Sequence, residues 1–377
     1  MSTTRTALPA LVVAAFAGHV AYPAWLLAHR PPRAQRAAIA ATAEGPVAEH
    51  GWTWEDVDVL VPAHGEAGVI LETLRTLVET CRVPLSCVTV VVDEDERTRD
   101  LCLAHGFRVD YAERRAGKAA AVNRGVDGTK APYVVVVDAN ATLDQDGLRA
   151  LLNTCAARYD LVSGLRRERG AADEGLYWRY ENWIKTTEAA RGGSLALVGE
   201  AVAFRRPVFR PIPAGTANDD LWLAFDVASR GYAVGVEPRC LVVEDSAPRG
   251  DQLERRVRIM AGQLRLFWRY RAQFASGPVE FRRFAAHKVW RSTVGPAAQV
   301  ALLAGAAAAP RRRTSQLVLA GHALAVLAYA RGDRLHGRAS APLRLAGQAV
   351  GMPLVVFCRA LPRAVRGQSG VWTKRMR

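Results

Sequence analysis

Acidic residues are scarce in the last third of this chain. After Glu254 only Glu280 and Asp333 carry a carboxylate, while Arg and Lys recur to the end, and the 377 residues together have a formal net charge of +15. A tail of this kind suits nucleic acid or anionic lipid headgroups. The apolar stretches between its charges favour lipid, and no nucleic-acid partner is expected. The six cysteines (Cys81, Cys87, Cys102, Cys155, Cys240, Cys358) form no CxxC pair and no metal-ligand spacing. That pattern indicates neither a zinc site nor a disulfide framework, and reads as reduced core cysteines in a cytosol-facing protein.

What is present is organised around Tyr133 to Asp146, YVVVVDANATLDQD. A five-residue apolar, β-branched run reads as a buried strand of a parallel sheet, and Asp138 follows it at once. In open α/β sheets ligands bind outside the carboxyl ends of the strands, so Asp138 stands where a nucleotide and a divalent cation can be held. The competing reading is that Asp138 caps a turn. Its neighbours favour function. Val57 to Val61 predicts a first strand followed by PAHGE (Pro62 to Glu66), then a helix over about 67–81 with Ile70, Leu74, Leu77 and Val78 on one face. Val88 to Val92 predicts a second strand ending in DEDE (Asp93 to Glu96), Phe107 to Tyr111 a third, and Gly117-Lys118 opens a helix through Asn123. The alternation predicts an α/β fold, a mostly parallel sheet with helices on both faces. Three successive strands end in acidic or Gly-containing turns on one edge, which is one signal of a nucleotide site.

The flanks are different. Ala7 to Ala28 is almost uncharged and long enough to span a bilayer; the basic HRPPRAQR after it points to a cytoplasmic side there. A signal peptide cleaved near 15–17 is the alternative. Residues 1–30 are thus expected as an N-terminal transmembrane helix, 31–54 as a linker, helical near 34–44, and 55–250 as the catalytic domain. Residues 251–290 are expected as amphipathic membrane-interface helices rich in Arg and aromatics. The remainder, 291–377, is expected to hold membrane segments at about 292–310, 315–330 and, as a third, 345–361, before a basic tail (Lys374, Arg375, Arg377). A first hairpin would place Arg311 to Arg313 outside; an interfacial or re-entrant third segment would return the tail to the cytoplasm. Together these features predict a multi-pass protein of the bacterial plasma membrane with a cytoplasmic catalytic domain.

Between Val57 and Arg291 the chain resembles the membrane-bound inverting glycosyltransferases of family 2. The likeness is carried by PAHGE, VVVDEDERT, RRAGKAAAVNRG, DAN for D-x-D, GEAVAFRR, NDDLWLAFDVASRGYAVGVEP, and RRVRIMAG in the place of Q-R-x-R-W-x-x-G. The resemblance implies a GT-A nucleotide-diphospho-sugar transferase domain. It implies transfer of a hexose or N-acetylhexosamine from a UDP-linked donor to a lipid-linked or polysaccharide acceptor, with inversion. Pro62, Ala63, Glu66, Asp93 and Asp95 would bind the nucleotide, with Lys118, Asp138, Arg256 and Arg258 near the diphosphate. Asp138 with Asn140 would hold Mg²⁺ or Mn²⁺. Asp220 would be the base and Asp219 its neighbour, although two acids at a helix start also serve capping and the helix dipole. Gly199, Glu200, Arg205, Trp178 and Tyr180 would face the acceptor; Tyr177, Trp178, Tyr180 and Trp183 equally fit a core face.

Three departures stand out. Asn140 replaces the second acid of D-x-D, Arg255 replaces Gln, and Ile259 replaces the Trp of processive members. The last two argue against processivity. The first keeps open a second class, a degenerate membrane-anchored nucleotide-sugar-binding protein. A sugar nucleotidyltransferase is disfavoured, because it needs a G-x-G-T-R loop after the first strand and PAHGE is not one.

Overall fold

The computed structural model describes residues 3–33, 37, 51–169, 172–245, 249–332 and 340–367. The linker helix expected near 34–44 and the basic tail lie outside these residues, save for Ala37. The chain divides into two compact units. Among the described residues, one comprises 30–33, 37, 51–169, 172–245 and 275–281; the other comprises 3–29, 249–274, 282–332 and 340–367. Residues 275–281, expected with the interface helices, thus fall in the first unit.

The first unit is built on seven strands: β1 Val57–Ala63, β2 Val88–Asp93, β3 Arg108–Ala112, β4 Tyr133–Val137, β5 Leu161–Arg169, β6 Ala201–Arg205 and β7 Val234–Asp245. Their order is β3-β2-β1-β4-β6-β5-β7. β1 to β4 are mutually parallel where they pair, and β6 runs antiparallel to both β4 and β5. β1, β2 and β4 are apolar almost throughout because they are buried on both faces. The third strand lies one residue later than its apolar run suggested. The first helix starts only at Ile70 and passes into a wider π-type turn over Thr76–Thr80. The core runs from Trp52, whose indole N–H donates to Asn153 Oδ1 (2.9 Å), through Val59, Val61, Val90, Val135 and Val137 to Leu148 and Leu151. The Lys118–Asp127 helix lies so close to the sheet that a Cβ at Gly125 would meet Leu60 Cδ1 and Val91 Cγ2 at 2.9 Å.

The second unit is helical. Its first helix, Thr3–Ala28, packs on Val294–Ala307, where Trp290 Nε1 donates to Ala14 O (2.8 Å) and Gly295 sits under Ala15 O. Gly347 and Gly351, one helical turn apart, let the helical stretch 341–365 approach Ala325 to Tyr329 of the Arg313–Ala330 helix; a Cβ at Gly347 would lie 2.7 Å from the Tyr329 nitrogen. Small residues at this spacing permit close helix contact. The amphipathic helix Arg249–Arg269 lays Val257 and Ala261 on Val356 and Ala360, and Glu254 pairs with Arg359 and Arg363. Among the described residues, two helices are long and apolar enough to cross a membrane, Pro9–Ala28 and Pro342–Val365. The segments expected at 292–310 and 315–330 are helices too. At 14 residues the first extends only about 21 Å, short of a hydrocarbon core of about 30 Å. The second begins at Arg313 and carries Gln316 and His322.

Candidate active site

The carboxyl ends of β1, β2 and β4 reach one edge of the sheet, and the start of β6 joins them because it is antiparallel, with Val137 opposite Ala201. At the end of β1 and β2 two turns are tied together. Gly65, at φ +68°, donates its N–H to Asp95 Oδ2 (2.7 Å), and His64 Nδ1 lies 2.5 Å from Asp93 O. Asp95 also caps the Glu96–Ala104 helix through Thr98. Burial raises its pKa, but the bonds from Thr98, Gly65 and Glu66 outweigh that and hold it below the usual carboxylate value.

Asp93, expected at the base or ribose, is fully buried. Its carboxylate accepts the backbone N–H of Ala116 (3.0 Å) and of Gly117 (2.7 Å). It therefore acts on the loop: Gly117, at φ +90°, is set as the residue before the Lys118–Asp127 helix. At the other end of the AVN stretch, Asn123 clamps the backbone of Ile212, with Nδ2 donating to its carbonyl (2.9 Å) and Oδ1 accepting from its N–H (2.8 Å). Glu66 is buried as well, and Pro62 and Ala63 are the last residues of β1, paired with Val91 and Val92.

Lys118 brings the expected residues together. Its Nζ lies 2.7 Å from Asp138 Oδ1 and 3.4 Å from Asp219 Oδ2. Asp138 is held by its own N–H on Glu200 O (3.0 Å) and by Ala141 N–H on its carbonyl (3.0 Å). Thr73 Oγ1 donates to Ala139 O (2.9 Å), so the first helix of the unit fixes the same turn. Asp219 opens the Asp219–Ser229 helix, and Asp220 follows; Asn218 precedes them without a side-chain cap bond. Gly199 allows this approach, since a Cβ there would lie 3.3 Å from Asp220 Cβ. A cavity of about 20 Å³, with room for about one water, is lined by Asp219, Asp220, Val136, Val202, Phe204 and Leu223.

That largely apolar wall sets the electrostatics. Burial pushes the Asp220 carboxyl up, the Asp219 charge pushes it further, and Lys118 and the Leu221 N–H only partly offset this, leaving it at about 7. Burial likewise raises Asp138 against the pull of Lys118, with Glu200 and Asp219 adding to the rise, to about 6. For Lys118 burial acts downward, but Asp138 and Asp219 outweigh it and keep the ammonium charged. Carboxyls displaced toward neutral pH beside a fixed cation are what proton transfer near pH 7 requires.

Behind this cluster lies a residue that the sequence did not single out. Arg166, buried within β5, donates Nη1 to Glu200 Oε1 (2.7 Å), and its guanidinium stacks 4.8 Å over the Trp178 ring. Lys185 Nζ lies 5.7 Å from the same ring. In sequence Arg166 sits in LRRER, which reads as solvated charge; only the β5–β6 pairing places it by Glu200. Tyr180 is half-buried on the Ala172–Ala189 helix.

Arg205 is not in the cluster. Arg205 pairs with Tyr133 at the opposite end of β4 and β6, about 13 Å along the strand from Ala201. There it donates to Ala156 O (2.7 Å) and lies 3.8 Å from Asp160. The antiparallel course of β6 carries it away from the edge that Glu200 occupies. Arg256 and Arg258 belong to the helical unit, where Arg256 meets Met352. Of the cysteines, five are buried as expected, but Cys358 is exposed on the Met352–Val365 helix.

Residues 58–211 match the model of glycosyl transferase family 2. Over that stretch the chain is similar to the family 2 glycosyltransferases. A protein described as an uncharacterized glycosyltransferase from Mycobacterium tuberculosis is 30% identical over 155 residues, 40% of this chain and 65% of that protein. A Mycobacterium bovis protein of the same description matches to the same extent. The match thus spans about 65% of the length of these curated relatives. Among solved structures, a mannosyltransferase from Pyrobaculum calidifontis in complex with GDP-mannose and Mn²⁺ aligns with a TM-score of 0.68. It is 22% identical, over 94% of this chain and 98% of that one. That likeness, which covers nearly the whole chain, establishes the fold, with a GT-A-type α/β sheet in the first unit.

Proposed function

We propose that this chain is a membrane-anchored glycosyltransferase that moves a hexose or N-acetylhexosamine from a nucleoside-diphosphate sugar to an acceptor hydroxyl, with inversion. The observation that carries the reading is the single ammonium of Lys118 shared by Asp138 and Asp219, with Asp220 beside them raised to about 7. Asp220 takes the proton of the acceptor hydroxyl as that oxygen attacks the anomeric carbon. One displacement by one base inverts the configuration. Asp219 and Lys118 keep the Asp220 carboxyl oriented and tuned. Gly199, Glu200 and Trp178 line the acceptor side, with Glu200 fixed by Arg166.

The donor set suits a hard divalent cation, since Asp138 and Asn140 offer oxygen ligands and the Asp138 carboxylate already attracts a cationic group. Asp138 with Asn140 would hold Mg²⁺ or Mn²⁺. A bound cation there supplies charge neutralisation to the departing diphosphate. Asp95 and Glu66 shape the turn on the nucleotide side, and Asp93 acts through the Ala116–Gly117 backbone.

Support for a membrane anchor comes from Pro9–Ala28 and Pro342–Val365, and from the basic flank after Ala28, which argues for a cytosolic catalytic domain in a bacterial plasma membrane. The acceptor is then a lipid-linked sugar or a growing glycan at that surface. Asn140 in the place of an acid favours one second reading, a binding protein without turnover. The test is a donor panel: full-length protein in membranes is given labelled UDP- and GDP-sugars with and without EDTA. EDTA-sensitive transfer to lipid or glycan supports the enzyme; donor binding without transfer to any acceptor favours the binder.

A further inference from the structure

The ion pair at the centre of the site bears on which form of the cation it accepts. Lys118 is placed firmly, because Asp93 fixes the Gly117 N–H and Gly125 seats the helix on the sheet. Asp138 is fixed as well, by Glu200 O and Ala141 N–H. The contact between them, 2.7 Å at Nζ to Oδ1, thus joins two anchored residues. Asp219 shares this ammonium at 3.4 Å, and the residue two positions after Asp138 is Asn140, which brings no charge to the cation side. Among the described residues, no group of three or more His, Cys, Asp or Glu side chains is arranged to hold a metal ion. The carboxylate that would hold a cation, Asp138, is thus already paired with a cationic side chain.

We propose that Lys118 reserves the Asp138 carboxylate for a divalent cation that arrives together with a nucleoside diphosphate, so that the site discriminates against the free ion. This rests on the nucleotide-sugar reading above. A free divalent ion has to displace the ammonium from Asp138 or sit beside its like charge. A diphosphate removes both obstacles: its oxygens complete the coordination, as is usual for Mg²⁺ held by one or two carboxylates plus phosphates, and they give Lys118 an anion to move to. Cation and nucleotide then bind with positive coupling, each raising the affinity of the other by the same factor.

The experiment measures Mn²⁺ binding to the purified full-length chain in detergent by electron paramagnetic resonance, with and without UDP or GDP. It compares the parent with Lys118→Met and Lys118→Arg. In the parent a nucleoside diphosphate should tighten Mn²⁺ binding by about tenfold or more. Lys118→Met should bind Mn²⁺ about tenfold more tightly than the parent when nucleotide is absent, and should show a smaller nucleotide effect. Lys118→Arg keeps the charge and should behave like the parent, which separates charge from fold. If UDP or GDP promotes Mn²⁺ binding but Lys118→Met leaves the nucleotide-free affinity unchanged or weaker, the role given to Lys118 is overturned while the nucleotide reading stands. If neither nucleotide alters Mn²⁺ binding to any of the three proteins, the nucleotide-sugar reading falls, and this inference with it.

Discussion

Replacing Asp220 by Asn should move rate and stability in opposite directions. The side chain keeps its size and most of its hydrogen bonding but can no longer accept the proton of an acceptor hydroxyl. Loss of a general base typically costs about 10²- to 10⁴-fold in rate, so transfer should fall by about that factor with donor affinity nearly unchanged. Stability follows from the shifted carboxyl, which titrates at about 7 in the folded protein against an ordinary value of 3.8. A raised folded pKa means that the folded state holds the proton more tightly than the unfolded chain. Its relative stabilisation is full below pH 3.8 and is lost as pH rises through about 7. A shift of this size corresponds to a few kcal/mol at most. Coupling to Asp219 and the lost partner of Lys118 reduce the net to roughly 1–3 kcal/mol. Asp220→Asn should therefore melt higher than the parent at pH 8, with the gap closing toward pH 4. Melting curves in detergent at several pH values, with initial transfer rates on the same preparations, test both halves. An Asn variant that turns over like the parent removes Asp220 as the base. One that loses rate but melts lower at pH 8 refutes the desolvation argument.

Other changes have equally definite outcomes. Asp138→Ala should abolish Mn²⁺- or Mg²⁺-dependent donor turnover, and activity surviving both the substitution and EDTA would exclude a metal role for Asp138. Arg166→Met removes the guanidinium from the buried Glu200 carboxylate, so it should destabilise the fold by up to about 3–5 kcal/mol, and adding Glu200→Gln should recover part of that; a double variant no more stable than the single would show that the Arg166–Glu200 pair is not the cause. Gly235→Ala should lower the melting temperature sharply, because its Cβ would come within 2.3 Å of the Tyr159 ring, and a melting curve superimposable on the parent's would refute the close approach. Carbonate and high-salt washing should leave the protein in the membrane fraction, and release would rule out Pro9–Ala28 and Pro342–Val365 as spans.

Local pattern put Asp138 after a strand and Lys118, Asp219 and Asp220 at helix starts, and the family resemblance joined them into one expected site. Each follows a strand or opens a helix, and strand and helix ends are written in short-range periodicity and turn chemistry. The same holds for β1, β2 and β4, whose unbroken apolar runs require burial on both faces. Tertiary structure decided the rest, because it depends on what one segment meets in another. Asp93 looks like a ligand-binding acid until the Ala116–Gly117 loop folds over it. Arg205 follows Glu200 by five residues, yet the antiparallel course of β6 sends the two to opposite ends of the sheet. Arg166 acquires its meaning only when β5 and β6 pair and bring it to Glu200. The shared ammonium of Lys118 joins residues as much as 101 positions apart in sequence. No local pattern encodes such a contact, since it exists only after three separate chain segments converge on one sheet edge.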